Sequence, residues 1–214
     1  MTSKLVNQEF QWVARIKKHI IFRILKRLSL EKYIEKLLPS PRDILLKRIP
    51  KNATCVEIGV WTGEFTQRIL NVANPKKIYL IDPWLAYDDY YEIDYKLSKY
   101  TQTSQDNRYK SVLKRFHKEI KQGKIEVIRD ISSNVIKGLL KDKKYDFVYI
   151  DGNHSYEYVL EDLKNYLPNL EKNGFFGIDD YNFESVRKAV HDFCILSKPR
   201  FTELLKYDQY FIKP

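Results

Sequence analysis

The sequence predicts an α/β fold: a mostly parallel central sheet with helices on both faces and a C-terminal antiparallel hairpin. Three observations carry this. Short apolar segments recur between residues 53 and 178 and alternate with stretches of helical periodicity. Each apolar segment runs into a polar turn. The 214 residues are 43% hydrophobic, enough for one domain with a sizeable core.

Residues 8–38 place Phe10, Val13, Ile20, Ile24 and Leu28 at helical spacing, with Lys17, Lys18, Arg23 and Lys26 on the remaining surface. Pro39 and Pro41 break the pattern, and Arg42–Arg48 reads as a short helix ended by Pro50. Residues 1–50 hold 12 Lys/Arg against 4 Asp/Glu and are expected to form a basic helical extension. Residues 51–214 are expected to form the α/β domain. Its predicted strands are Ala53–Gly59, Lys77–Ile81, Lys124–Ile128, Tyr145–Ile150 and Gly174–Ile178. Its predicted helices are Glu64–Val72, Gln105–Gln122, Ser133–Leu140, Ser155–Leu170 and Ser185–Leu196. Phe201–Lys206 and Gln209–Ile212 are the two arms of the predicted hairpin.

The apolar content excludes wholesale disorder, and 7 Gly with 8 Pro exclude collagen-like character. No apolar run approaches the roughly 20 residues that cross a bilayer. Met1–Trp12 is polar, so no secretory signal is expected. Cys55 and Cys194 are too few for a disulfide framework or a zinc cluster and read as small buried hydrophobes in a reducing, cytoplasmic compartment.

In a parallel sheet, ligands bind outside the carboxyl ends of the strands. Here those ends are polar. The first carries Glu57-Ile-Gly59-Val-Trp61-Thr62-Gly63, whose glycines allow a sharp turn and close approach of a ligand ahead of a helix N-terminus. The spacing is not that of the dinucleotide fingerprint. Asp82 ends the second strand, where a carboxylate can accept both hydroxyls of a ribose or cap the turn before Pro83.

Glu57-x-Gly59-x-x-x-Gly63 followed by Asp82 resembles motif I and the following acid of class I S-adenosylmethionine-dependent methyltransferases. The run Tyr145-Asp-Phe-Val-Tyr-Ile-Asp151-Gly-Asn-His154-Ser-Tyr156, continuing to Gly174-Phe-Phe-Gly-Ile-Asp179-Asp180-Tyr181, is similar to the branch with macrocin-type sugar O-methyltransferases and cephalosporin hydroxylase-like proteins. The resemblance covers about residues 50–190. It implies a Rossmann-like class I methyltransferase fold, S-adenosylmethionine as cofactor and a sugar hydroxyl, in a glycan or glycoside, as acceptor. Cofactor contacts would fall to Glu57, Gly59, Trp61, Thr62, Gly63 and Asp82, and to Asp130 and Ser132 in the turn that lines the adenine in related proteins. That turn also suits a helix N-cap. Trp61 stands where a glycine is common, and Asn173-Gly174 where many members have two glycines.

Asp151, Asp179 and Asp180 belong to neighbouring strand ends. Three converging carboxylates repel one another unless a cation or a proton holds them. Oxygen ligands favour Mg²⁺, Ca²⁺ or Mn²⁺ over zinc, and the resemblance favours Mg²⁺. The same residues also fit a helix cap and a cofactor contact without metal. His154 follows Asp151 by three residues, within reach of the same hydroxyl, and the resemblance implies a catalytic base there. Trp84–Tyr109, with six tyrosines and several acids, is expected to form either a binding lid or a packed extra helix.

The net charge of +10 raises a nucleic-acid methyltransferase as the competing function, with a non-catalytic binding module as a third. The turn after the fourth strand, Asp151-Gly-Asn-His154, differs from the Asn/Asp-Pro-Pro-aromatic turn of enzymes that methylate exocyclic base nitrogens. The tyrosine-rich window is acidic, which opposes a phosphate backbone. Most of the excess charge lies in residues 1–50, a segment suited to packing, to a partner such as a second copy of the chain, or to an anionic membrane surface.

Overall fold

The structure, a computed structural model, describes residues 41–86, 101–197, 200–205 and 209–213. The predicted helix over 8–38, the tyrosine-rich residues 87–100 and the hairpin turn at Tyr207–Asp208 lie outside the described residues.

The described unit begins at Pro41. Helix α1 (Pro41–Leu46) leads into strand β1 (Thr54–Ile58), helix α2 (Glu64–Val72) and strand β2 (Lys77–Ile81). Helices α3 (Gln102–Arg115) and α4 (His117–Lys121) precede strand β3 (Ile125–Ile128) and helix α5 (Ser132–Lys137). Strand β4 (Tyr145–Ile150), helix α6 (Tyr156–Tyr166), strand β5 (Leu170–Ile178) and helix α7 (Glu184–Ser197) follow. Strands β6 (Arg200–Leu205) and β7 (Gln209–Lys213) end the described chain.

Among the described residues the strands form one sheet in the order β3-β2-β1-β4-β5-β7-β6. The first five run parallel, while β7 pairs antiparallel with both β5 and β6. Strand order reverses at β1, which lies between β2 and β4, and this is where a parallel sheet opens its ligand crevice.

Side chains alternate between two cores because successive strand residues face opposite sides. Val56, Ile58, Val148, Ile150, Phe176 and Ile178 pack with α5, α6 and α7. Cys55, Phe147, Tyr149 and Phe175 pack with α1, α2 and α3 on the other side. Leu45 and Leu46 are fully buried there, so residues 41–50, expected to belong to the extension, are part of the domain.

Two predicted helices are interrupted. The stretch expected as one helix over Gln105–Gln122 breaks at Phe116, which is buried and leaves helical geometry at φ −106 and ψ 20. The predicted Ser155–Leu170 helix ends at Tyr166, and Pro168 sits in a 3₁₀ turn over Leu167–Asn169.

The strand ends are level. Ile58 is in register with Ile81 and Ile150, and Ile150 with Ile178. Each ladder continues one residue further: Gly59 N–H donates to Ile81 O at 2.9 Å, Asp151 N–H to Ile58 O at 2.8 Å and Asp179 N–H to Ile150 O at 3.0 Å. Gly59, Asp82, Asp151 and Asp179 therefore emerge along one edge of the sheet.

Candidate active site

A cavity of about 590 Å³ opens at that edge, within the size range of small-molecule sites. The β1–α2 loop forms one wall. Gly59 has φ +84, and a Cβ there would overlap the Asp151 carbonyl and sit 2.7 Å from the Gly152 nitrogen. Gly63 has φ +76 and packs on the Phe116 ring, 2.5 Å from where its Cβ would be. Only glycine fits both the left-handed backbone and these contacts. Trp61 lies between them at φ +55, with the Arg108 guanidinium 3.9 Å from its ring centroid.

Of the residues expected to contact the cofactor, Glu57, Gly59, Trp61, Thr62, Asp82 and Ser132 line the cavity. Gly63 is the N-cap of α2 beneath it. Asp130 does not line it. Its carboxylate is exposed and accepts from Ile131 N–H at 2.7 Å and from Asn134 Nδ2 at 3.1 Å. These bonds hold the Asp130 carboxylate locally, ahead of α5, whose N-cap position is Ile131 with no side-chain capping bond.

Asp82 holds the loop that forms the cavity wall. Its Oδ2 accepts from the backbone N–H groups of Val60 and Trp61, each at 2.9 Å, and its Oδ1 from Trp84 N–H at 2.7 Å. Burial raises its pKa against the lowering effect of these amides. Trp84, fully buried, donates through Nε1 to Trp61 O at 3.0 Å and so ties the two loops again.

Glu57 is 1% exposed and accepts from Thr66 Oγ1 at 2.7 Å. Burial pushes its pKa up to about 8, opposed by the Thr66 hydroxyl and assisted by the charges of Asp151 and Asp82. Thr66 was not anticipated. The available signal was a hydroxyl beside Phe65 and before Ile69 on the buried face of α2.

Across the crevice, Asp151 and His154 line the cavity. His154 Nε2 lies 3.1 Å from Asp180 Oδ2 and 3.6 Å from Asp151 Oδ1. These are ion-pair distances, but Nε2 is buried without a formed hydrogen bond. The imidazole meets the Phe183 ring edge-on, with centroids 5.4 Å apart, and Ser185 Oγ donates to the His154 carbonyl at 2.7 Å. Asp180 holds φ +50, a strained conformation for a non-glycine residue that persists where surroundings impose it. Burial alone would lower the His154 pKa, but Asp151, Asp180 and Asp179 together raise it. Burial and the neighbouring Asp179 raise that of Asp151, against His154.

The three acids do not stand alike. Donor atoms of Asp151, His154 and Asp180 lie within 4.8 Å of one another. Asp179 is buried and forms an ion pair with Arg42 of α1, a residue that sequence reasoning left unassigned. The cavity thus joins a strand-end crevice to an imidazole flanked by carboxylates, a place where a hydroxyl proton can be received.

The fold occurs in solved methyltransferases. A TDP-rhamnose 3′-O-methyltransferase of calicheamicin biosynthesis matches with TM-score 0.55 at 13% identity, over 92% of this chain and 86% of that one. A Clostridium thermocellum protein assigned as an rRNA methylase matches with TM-score 0.56 at 13% identity, over 82% and 96%. A Podospora anserina methyltransferase bound to S-adenosylhomocysteine matches with TM-score 0.53 at 16% identity, over 81% and 75%. At these identities the likeness concerns the fold. No curated protein matches the chain. Residues 56–181, more than half of the chain, match the Methyltransferase domain family. The protein therefore belongs to the methyltransferase-domain family, and it is an S-adenosylmethionine-dependent methyltransferase with the Rossmann-like class I fold.

Proposed function

We propose that the enzyme transfers the methyl group of S-adenosylmethionine to a hydroxyl of a sugar, with His154 as the base and with a divalent cation at the neighbouring carboxylates. The observation that carries this reading is His154 Nε2, on the cavity wall between Asp151 and Asp180 and without a hydrogen-bond partner. Glu57, Gly59, Trp61, Thr62, Gly63, Asp82 and Ser132 are the cofactor side of the cavity.

The residues fit a hard cation. The carboxylates of Asp151 and Asp180 converge beside the cavity, and oxygen donors suit Mg²⁺ or Mn²⁺, which leaves Nε2 of His154 for the proton. Asp151 and Asp180 are the carboxylates that would hold it, Asp179 being engaged by Arg42. When bound, the cofactor supplies a methyl group on a positive sulfur, and a cation supplies charge that lowers the pKa of a nearby hydroxyl. The protein's own part is geometric and protolytic. The β1–α2 loop and β4–α6 turn fix the two sides of the crevice, which makes alignment intramolecular. His154 Nε2 receives the hydroxyl proton, and Asp180 and Asp151 stabilise the resulting imidazolium.

A small acceptor is favoured over nucleic acid by charge. Arg42 is the one Lys or Arg among the described residues lining the cavity, and it is engaged by Asp179, so the lining presents little positive charge to a phosphate backbone. Among the described residues no helix is long and apolar enough to cross a membrane. The buried free thiols of Cys55 and Cys194 suit a reducing, cytoplasmic setting.

The test is transfer of labelled methyl from S-adenosylmethionine to nucleotide-activated sugars and glycosides, run beside RNA oligomers and repeated in chelator. Label in sugar that is lost in chelator supports the proposal. Label in RNA alone refutes the acceptor class, and full sugar methylation in chelator refutes the cation.

A further inference from the structure

Arg42 is the one Lys or Arg among the described residues that line the cavity. It is presented by a firmly seated element. Leu45 and Leu46 of α1 are fully buried, and Asp43 takes a bidentate pair from Arg68 of α2, Nε to Oδ1 at 2.7 Å and Nη2 to Oδ2 at 3.2 Å. The guanidinium carbon lies 5.6 Å from the Phe65 ring centroid, and Nη2 reaches Asp179 Oδ2. Asp179 is 4% exposed, so its carboxylate has exchanged water for this partner. Asp151 and Asp180 also act on Arg42 electrostatically.

We propose that Arg42 is a built-in counter-ion that competes with a divalent cation for Asp179, and so sets how tightly the acid cluster binds metal. This rests on reading the cluster as a cation site. Positive charge is what lets three carboxylates share one crevice. A guanidinium fixed to Asp179 supplies part of that charge from within the chain and withholds one hard oxygen ligand. A cation entering between Asp151 and Asp180 meets Arg42 as a like charge and finds Asp179 engaged. Removing the guanidinium takes away its contact with Asp179, which lets that carboxylate turn to the cation as a third oxygen ligand, and removes the repulsion. Arg42 is thus a positioning residue for Asp179, and its contact couples α1 to the metal affinity of the site.

The experiment is titration of Mn²⁺ into the cofactor-free protein, followed by calorimetry and by the electron paramagnetic resonance signal of free Mn²⁺. Wild type, Arg42→Gln, Arg42→Lys and the Arg42→Gln/Asp179→Asn pair are compared, with circular dichroism confirming the fold of each. Arg42→Gln is expected to bind Mn²⁺ about tenfold more tightly than wild type. Arg42→Lys retains the charge and should stay near wild type. Asp179→Asn in the Arg42→Gln background should cancel the gain. Equal or weaker binding by folded Arg42→Gln, with wild type binding Mn²⁺, overturns the role of Arg42 and leaves the cation site standing. If none of the variants binds Mn²⁺, the cation site itself falls, and the inference with it. Should Arg42→Gln fail to fold, Arg42→Met, which keeps an apolar stem beside Phe65 and removes the charge, takes its place with the same two outcomes: tighter Mn²⁺ binding than wild type supports the competition for Asp179, and equal or weaker binding overturns it.

Discussion

Gly59 lies directly against Asp151: a side chain on the glycine would occupy the space of the Asp151 carbonyl. The β1–α2 loop and the β4–α6 turn are thereby locked edge to edge, with Asp151 N–H bonded to Ile58 O at 2.8 Å. Gly59→Ala must therefore displace backbone and also adopt φ +84. Denaturant unfolding should show a loss of at least about 3 kcal/mol. A variant of wild-type stability would contradict the close packing of the two loops.

Asp82 carries three backbone amides, so its removal affects the loop as well as any ribose it binds. Asp82→Ala leaves the Val60, Trp61 and Trp84 N–H groups without this acceptor. We expect a stability loss of about 1–3 kcal/mol and at least about tenfold weaker binding of S-adenosylhomocysteine by calorimetry. Loss of affinity with stability intact would assign Asp82 to the ligand alone.

Asp162 makes stability depend on pH. It is 6% exposed and accepts from Ser132 Oγ, and burial pushes its pKa up to about 7, with Ser132 opposing. A carboxyl raised in the folded state favours the protonated form. Its contribution is complete below the unfolded value, near pH 4, and is lost as pH rises through about 7. Relative to Asp162→Asn, wild type should lose stability across that window, with a slope approaching about 1.4 kcal/mol per pH unit. Parallel curves for the two proteins would refute the raised pKa.

His154→Ala separates chemistry from binding. If Nε2 receives the proton, turnover should fall about 10²–10⁴-fold while affinity for S-adenosylhomocysteine stays within about twofold. An unchanged rate would remove His154 from the role of base. A large parallel loss of Mn²⁺ affinity would make it a metal ligand instead.

Much of the frame was legible in the sequence because buried strands are apolar runs bounded by turns. The predicted spans of α2, β2 and β4 coincide with those observed. β5 begins at Leu170 rather than Gly174: the exposed Glu171, Lys172 and Asn173 form an irregularity between the paired positions Tyr145–Leu170 and Phe147–Phe175, so no apolar run marks the start of the strand. Phe116 looked like one more apolar helix position, yet it leaves the helix to pack under Gly63, a contact 53 residues away in sequence. In the site, the acids at level strand ends were legible, since strand registry brings them together. Their partners were not. Arg42 pairs with Asp179 across 137 positions, and a basic residue on a short helix carries no local mark of such a contact. Asp130, a strand-end acid of the same appearance, lies off the cavity lining and accepts locally from Ile131 and Asn134.

Calorimetric titration with S-adenosylhomocysteine tests the central claim most directly, because it requires no knowledge of the acceptor. The cavity bounded by Gly59, Asp82 and Ser132 predicts saturable binding at one site per chain, weakened by Asp82→Ala. Absence of binding by folded wild-type protein, with and without Mn²⁺, would contradict the assignment of this cavity to the methyl donor.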